Sequence, residues 1–402
     1  MIQTPEQKGW VHMSSKENRE LQFTMTADDP YDARHYGAIT IPIYQNSLFA
    51  FEHYDDFDKA MSEVLAHHVY SRGNNPTVEF LEHKLAELEG GEAAKCFASG
   101  MAAITASILS FVKHGDHIIC VHQAYGPTRE FLGSYLERFG IETTFIDGSR
   151  IENWEAALRP DTKLFYLESP TTMQFELQDL QAVARLARSN GAATVIDGTW
   201  ATPCFQKPLE LGVDLVVHSI TKYISGHSDC LGGVVIGAGT LVDRLSQNEY
   251  MLFGGIMTPQ TAALVIRGLR TLPLRMQRHE SSGLKVALHL QTQPYVARVN
   301  HPGLGTHPQH ELARTQMSGF GSLFSFESQE PLAKLREWAS RLRYFRIGVS
   351  WGGFESLVTV NPIEPGGPNE SSRQIVRLYI GMENPDDLIQ DIDASWRSVN
   401  QV

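Results

Sequence analysis

From residue 77 to residue 237 the chain alternates short apolar runs with amphipathic stretches, and this alternation limits the fold more than any other feature. Short apolar runs are buried on both faces only in a sheet that helices cover on both sides, so the pattern describes βα units building a mostly parallel sheet. Strands are predicted over 117–121, 143–147, 163–168, 193–197, 215–219 and 233–236. Between them, a helix over 80–89 carries Leu81, Leu85 and Leu88 on one face and stops at Gly90-Gly91, and a second over 179–189 closes at Asn190-Gly191.

Beyond residue 267 the pattern changes to a long helix near 274–291, apolar runs at 322–326, 356–360 and 375–380, and a final helix. That last helix begins with Asn384 as cap, Pro385 at the first position and Asp386-Asp387 in the first turn. The first seventy residues lack periodicity. The expected division is an arm over 1–69 that contributes to a neighbouring subunit, an α/β domain over 70–267, and a smaller C-terminal α+β domain over 268–402.

A chain of 402 residues is too long for a single core, which agrees with more than one unit. A net charge of −12 offers no general footprint for nucleic acid or anionic lipid. Residues 1–20 lack the apolar centre of a signal peptide, Met13 is a candidate alternative start, and no segment offers about 20 consecutive apolar residues to span a membrane. Cys96, Cys120, Cys204 and Cys230 are widely spaced, which fits reduced thiols in a cytoplasm rather than a disulfide framework. The histidine pairs lack the spacing and acidic partners of a metal site, and no metal is expected.

Two strand ends carry the chemistry. Val195-Ile-Asp197-Gly-Thr199-Trp200 and, about twenty residues later, Asp214-Leu-Val-Val-His-Ser219-Ile-Thr221-Lys222 each begin apolar and end polar. Their polar side chains should emerge together at the carboxyl edge of the sheet, where open parallel sheets bind ligands. Pyridoxal phosphate (PLP) needs a lysine to carry its aldehyde and a carboxylate to keep its ring nitrogen protonated; Lys222 and Asp197 are one of each. A lysine at a strand end is ordinarily just solvated. What distinguishes Lys222 is its company, the hydroxyls of Ser219 and Thr221 and the glycines of Gly226-His-Ser-Asp229 and Gly232-Gly233, which permit close approach of a phosphate.

Three further segments suit the same ligand. Ala98-Ser99-Gly100-Met101 opens an apolar helix whose free N–H groups and dipole favour an anion, placed before the first strand of the sheet. Tyr70-Ser-Arg72 stands beside a turn, and arginine holds phosphate in a two-pronged fashion. Tyr125, in Ala124-Tyr-Gly-Pro-Thr128, follows a strand where its ring could stack on another.

In this order the motifs resemble those of the Cys/Met-metabolism family of PLP enzymes, the trans-sulfuration enzymes, from about Tyr36 to Val399. The resemblance implies an α/β type I aminotransferase-like fold and a homotetramer, a dimer of dimers with shared active sites, acting on a small amino acid. It implies that Lys222 holds PLP as a Schiff base, Asp197 pairs with the ring nitrogen and Tyr125 stacks on the ring. Ser99, Gly100, Met101, Ser219, Thr221 and Thr199 join the cofactor site, with Tyr70 and Arg72 reaching it from the neighbouring subunit. Catalytic roles are expected for Lys222, Tyr125 and Tyr70. Ser350-Trp351-Gly-Gly-Phe-Glu-Ser356 and Arg377-Leu-Tyr-Ile-Gly-Met-Glu383 match the family's carboxylate-binding region, so Arg377, Ser350 and Trp351 are expected to bind substrate.

Within the family, Tyr125-Gly-Pro127, Trp351 and Gly226-His-Ser-Asp229 are most similar to bacterial cystathionine β-lyase. Val349 and the turn over 70–77 depart from that branch, and Gly198 replaces the Asn usual after the ring-nitrogen aspartate. The expected reaction is α,β-elimination from a sulfur-containing amino acid such as cystathionine, giving pyruvate, ammonia and a thiol. Alternatives are γ-elimination or γ-replacement on methionine, cystathionine or an activated homoserine, transamination, or a binding protein with a degenerate site.

Overall fold

A computed structural model describes residues 15–29, 32–363 and 373–400. Its larger sheet has seven strands: β1 Ala93–Phe97, β2 His117–Val121, β3 Glu142–Ile146, β4 Thr162–Glu168, β5 Ala193–Asp197, β6 Leu215–His218 and β7 Gly233–Gly237. They lie in the order β1-β7-β6-β5-β4-β2-β3. The pairings β3-β2-β4-β5-β6 are parallel, as the alternating pattern predicts, and their centres are fully buried, with Leu164, Val195, Ile196 and Val216 at 0% exposure. Each such side chain contributes roughly 1.5–3 kcal/mol relative to exposure.

Two features of this sheet differ from expectation. β7 runs antiparallel to both β6 and β1; the segment 219–232 that joins β6 to it forms turns and no crossover helix, so the chain returns beside β6 in the reverse direction. β1 itself was not predicted, so the Ser99 turn follows the first strand rather than preceding it. Ala-Ala-Lys-Cys-Phe has no β-branched residue and carries a lysine, and its strand character comes from context: Lys95 is buried against Glu82 at 3.0 Å, and Glu82 also accepts the Cys96 N–H.

The second sheet holds β8 Arg298–Asn300, β9 Leu323–Ser328, β10 Arg346–Ile347, β11 Leu357–Ile363 and β12 Arg373–Tyr379, in the order β10-β11-β12-β9-β8. It packs with the helices Leu332–Arg341 and Pro385–Val399 around Trp338, Phe324 and Phe326. Helix Pro76–Glu89 buries Leu81, Leu85 and Leu88 and ends on left-handed Gly90, and the terminal helix is capped by Asn384 as predicted.

The arm is more ordered than its lack of periodicity suggested, with helices at Ser15–Ala27 and Tyr54–Ser62. The first has no continuous apolar stripe and is held by specific polar contacts to its own chain: Arg19 pairs with Glu280 at 3.0 Å, and the Gln22 amide donates to the Cys204 carbonyl at 3.0 Å. Met13 lies outside the described residues. Among the described residues no helix is long and apolar enough to cross a membrane, and no cluster of His, Cys, Asp and Glu could hold a metal ion.

Candidate active site

The carboxyl ends of β4, β5 and β6 open into a cavity of about 630 Å³ that the second sheet closes from the other side. Asp197, Thr199, Ser219, Thr221 and Lys222 line it from the large sheet, Ser99, Gly100 and Met101 from the start of the following helix, Tyr125 from the loop after β2, and Ser350, Trp351 and Arg377 from the C-terminal region. Twelve of the fourteen candidate residues therefore meet in one place. Tyr70 and Arg72 do not line it: Tyr70 is half exposed, with the Arg72 guanidinium 5.6 Å from its ring centre.

Asp197 ends β5 with its Oδ1 accepting the Thr199 N–H at 3.0 Å and the Thr199 hydroxyl. Burial raises its pKa, and the bonds from Thr199 oppose that shift. The Thr199 hydroxyl oxygen also accepts the Ser219 N–H at 2.8 Å, which ties the end of β5 to the turn that carries the lysine. Lys222 extends its amine to the Ser350 hydroxyl and over the Trp351 ring at 5.5 Å. Its pKa falls to about 8, chiefly because burial disfavours the ammonium and then because Arg377 repels it, with Asp197 acting the other way. A lysine titrating there keeps a substantial neutral fraction near physiological pH.

Opposite, Arg377 stands on β12, with burial lowering its pKa and Tyr125 raising it. Its guanidinium makes no hydrogen bond or ion pair among the described residues. A mostly buried, unpaired guanidinium facing a cavity is a receptor for a carboxylate, which it can grip with two parallel N–H bonds.

At the third corner Ser99 caps helix Gly100–Leu109 by accepting the Ala102 N–H at 3.1 Å, and the first N–H groups of the helix lack intrahelical acceptors. A β-carbon on Gly100 would stand 2.8 Å from Ser219 Oγ, so only glycine lets the helix start approach that hydroxyl. The Thr221 hydroxyl accepts the Gly232 N–H at 3.1 Å, holding the loop open beside it. Amides, a dipole and hydroxyls at one corner, an acid at the second, and an amine between them fit a cofactor with a phosphate, a basic ring nitrogen and an aldehyde. Asp197, Lys222 and the Ser99–Met101 and Ser219–Thr221 segments could hold PLP.

Sequence reasoning missed Glu168. It ends β4 in register with Asp197, and both line the cavity. Its Oε2 accepts the Tyr125 N–H at 2.7 Å and its Oε1 the Thr172 hydroxyl at 2.6 Å. Burial, followed by repulsion from Asp197, pushes its pKa up to about 8. The signal was present, since Glu168 is the polar end of an apolar strand just as Asp197 is. Thr172, Met173, Phe175, Trp200, Leu231 and Val349 complete much of the remaining wall.

A seven-stranded α/β sheet with a lysine and an aspartate at its carboxyl edge and a smaller sheet over the cavity defines a PLP-dependent enzyme of the aminotransferase-like type. The family model for Cys/Met metabolism PLP-dependent enzymes matches residues 24–397, and the chain belongs to that family. It is 38% identical over 383 residues to the L-methionine gamma-lyase of Pseudomonas putida, covering 92% of this chain and 95% of that one. It is 36% identical over 367 residues to the cystathionine beta-lyase of Lactococcus lactis subsp. cremoris, covering 89% and 93%. Among solved structures, metB from Corynebacterium glutamicum superposes with a TM-score of 0.86 at 34% identity, over 94% of this chain and 98% of that one.

Proposed function

We propose that this carbon–sulfur lyase acts on a sulfur-containing amino acid such as cystathionine by α,β-elimination, releasing pyruvate, ammonia and a thiol. The unpaired Arg377 facing Lys222 across one cavity carries the reading, because together they fix an amino acid by its carboxylate with Cα beside a basic amine. Bound PLP supplies an electron sink that acidifies the Cα proton. Asp197 holds the proton on the ring nitrogen, and the neutral amine of Lys222 takes the proton from Cα. Tyr125, which lines the cavity, would stack on the ring and supply a proton to the departing sulfur. Trp351, half-buried beside Lys222, covers part of the cavity.

A second reading, γ-elimination from methionine, is favoured by the chemistry of the wall. Lys222 and Arg377 are the only cations lining the cavity among the described residues, and Leu231, Val349 and Trp351 suit an uncharged thioether tail. Product analysis on cystathionine, an S-alkylcysteine and methionine separates the two, since pyruvate marks β-chemistry and 2-oxobutyrate marks γ-chemistry. Lys222→Ala should abolish both; turnover by that variant would end either reading.

We also infer a homotetramer whose subunits complete each other's sites through the arm, with 70–267 as the PLP-binding domain and 268–402 as the C-terminal domain. The exposed apolar side chains Tyr36, Ile39, Ile43, Leu48, Tyr54 and Met61 support a partner surface there, and Tyr70 and Arg72, turned from their own cavity, are free to serve another. The four free thiols suit a reducing cytoplasm.

A further inference from the structure

Glu168 is a buried acid in the site for which the elimination chemistry gives no task. It is not a general charge on the wall, because each oxygen is committed. Oε2 takes the backbone N–H of Tyr125 at 2.7 Å, and Oε1 is 2.6 Å from the hydroxyl oxygen of Thr172. Tyr125 precedes the short helix Gly126–Glu130 and makes no side-chain cap there, so its N–H is fixed from outside the loop rather than within it. Its ring is 44% exposed. Little packing therefore restrains the loop on the solvent side, and the bond to Glu168 is its polar anchor to the sheet.

We propose that Glu168 is a positioning residue that fixes Tyr125 over the cofactor plane and turns the Thr172 hydroxyl as a donor into the cavity.

The charge arrangement supports this. Two carboxylates on neighbouring strands in register cannot both be ionised cheaply in a buried site, and Asp197 has the ring nitrogen as its counterion. Glu168 then keeps the proton. With Glu168 ionised the Thr172 hydroxyl donates to Oε1; protonated, Glu168 still accepts the Tyr125 N–H through Oε2, while the Thr172 bond reverses so that Oε1 donates and the Thr172 hydroxyl hydrogen is free for an acceptor in the cavity. The titratable groups packed around it are Asp197 on β5, Cys120 on β2, Tyr166 beneath it on β4, and Tyr125 itself. Lys222 and Arg377 line the same cavity, but among the described residues neither pairs with Glu168, whose strongest charged neighbour is the Asp197 carboxylate.

The proposal rests on Lys222 carrying PLP, and the two can fail separately. The test compares wild type, Glu168→Gln, Glu168→Ala, Tyr125→Phe and the double variant Glu168→Ala/Tyr125→Phe as holoenzymes, scoring visible circular dichroism of bound PLP, PLP affinity, kcat and KM. Glu168→Gln, which keeps both oxygen and donor, should leave the dichroic band in place and lower kcat by less than about 5-fold. Glu168→Ala should keep the absorbance band of bound PLP but weaken its dichroism, with kcat falling on the order of 10²-fold at little change in KM, the cost of a misplaced group in an otherwise intact site. If Glu168 acts through Tyr125, the double variant should lose hardly more than the worse single variant. Wild-type dichroism and kcat in Glu168→Ala, fully additive losses, or equal losses in the Gln and Ala variants would each overturn the proposal. Should Glu168→Ala fail to fold, the Gln variant and a Thr172→Val variant decide it, the latter expected to lose kcat with the Tyr125 contact intact. Absence of a PLP band in the wild type would instead remove the underlying reading of Lys222.

Discussion

The backbone of Gly352 lies against that of Lys222: a β-carbon at 352 would come within 2.5 Å of the Lys222 carbonyl carbon and 2.6 Å of its Cα. Gly352 also has φ +94, a conformation that other residues adopt only at a cost. The C-terminal unit therefore touches the lysine turn directly, and the Ser228 hydroxyl strengthens the join by donating to Glu355 at 2.7 Å. Gly352→Ala should separate the two, lowering kcat on the order of 10²-fold and stability by about 1–3 kcal/mol. Steady-state kinetics with a thermal melt reads both, and unchanged kcat would show that the close approach is incidental.

Among the described residues the Arg377 guanidinium has no protein partner to lose. Arg377→Ala should reduce kcat/KM by a factor on the order of 10² to 10⁴, from two charge-assisted bonds worth about 1.5–3 kcal/mol each, while the folded stability holds or rises. Arg377→Lys should recover only part, since an ammonium cannot grip both oxygens. A substrate amine lacking the carboxylate should be turned over equally poorly by wild type and variant.

In the protein stripped of PLP, the Lys222 amine should acylate with a midpoint near its lowered value of about 8. Arg377→Met removes the second-largest cause of that lowering and should move the midpoint up. Mass spectrometry of the peptide carrying Lys222, after timed labelling across pH, checks the direction.

Acid should destabilise the fold in a defined window. Burial depresses His279 to about 3 and His301 to about 3. Unfolded, each binds a proton near pH 6.5, which the native state refuses, so their effect is nil above that pH. Stability is then lost as pH falls below 6.5, by about 1.4 kcal/mol per unit for each. Melting temperature against pH should show a shallower acid limb in His301→Phe than in wild type, whatever its absolute stability.

How much was legible can be argued from single residues. The predicted run 117–121 is the observed β2 because Ile118, Ile119 and Val121 are β-branched and flanked by polar turns. Lys222 and Asp197 were identifiable because a strand that ends in polar residues delivers them to the same edge. β1 was invisible because its lysine is neutralised by a glutamate on a preceding helix, a contact between segments that no local pattern reveals. Glu168 escaped for a related reason: its importance lies in what it holds, the N–H of Tyr125, forty-three positions away. Tyr70 and Arg72 were chosen for their chemistry, which fits, but a single chain does not bring them to their own cavity.

The ladder between β4 and β5 pairs Glu168 with Asp197 and every residue of Leu164–Leu167 with its counterpart in Ala193–Ile196. A shift of one step would carry one of the two acids to the opposite face and set the buried side chains of both faces, Leu164, Phe165, Val195 and Ile196 among them, against the wrong neighbours. The proximity of the acids is thus insured by the whole hydrophobic seam beneath them, and evolution can retune either group chemically while having almost no freedom to move them apart.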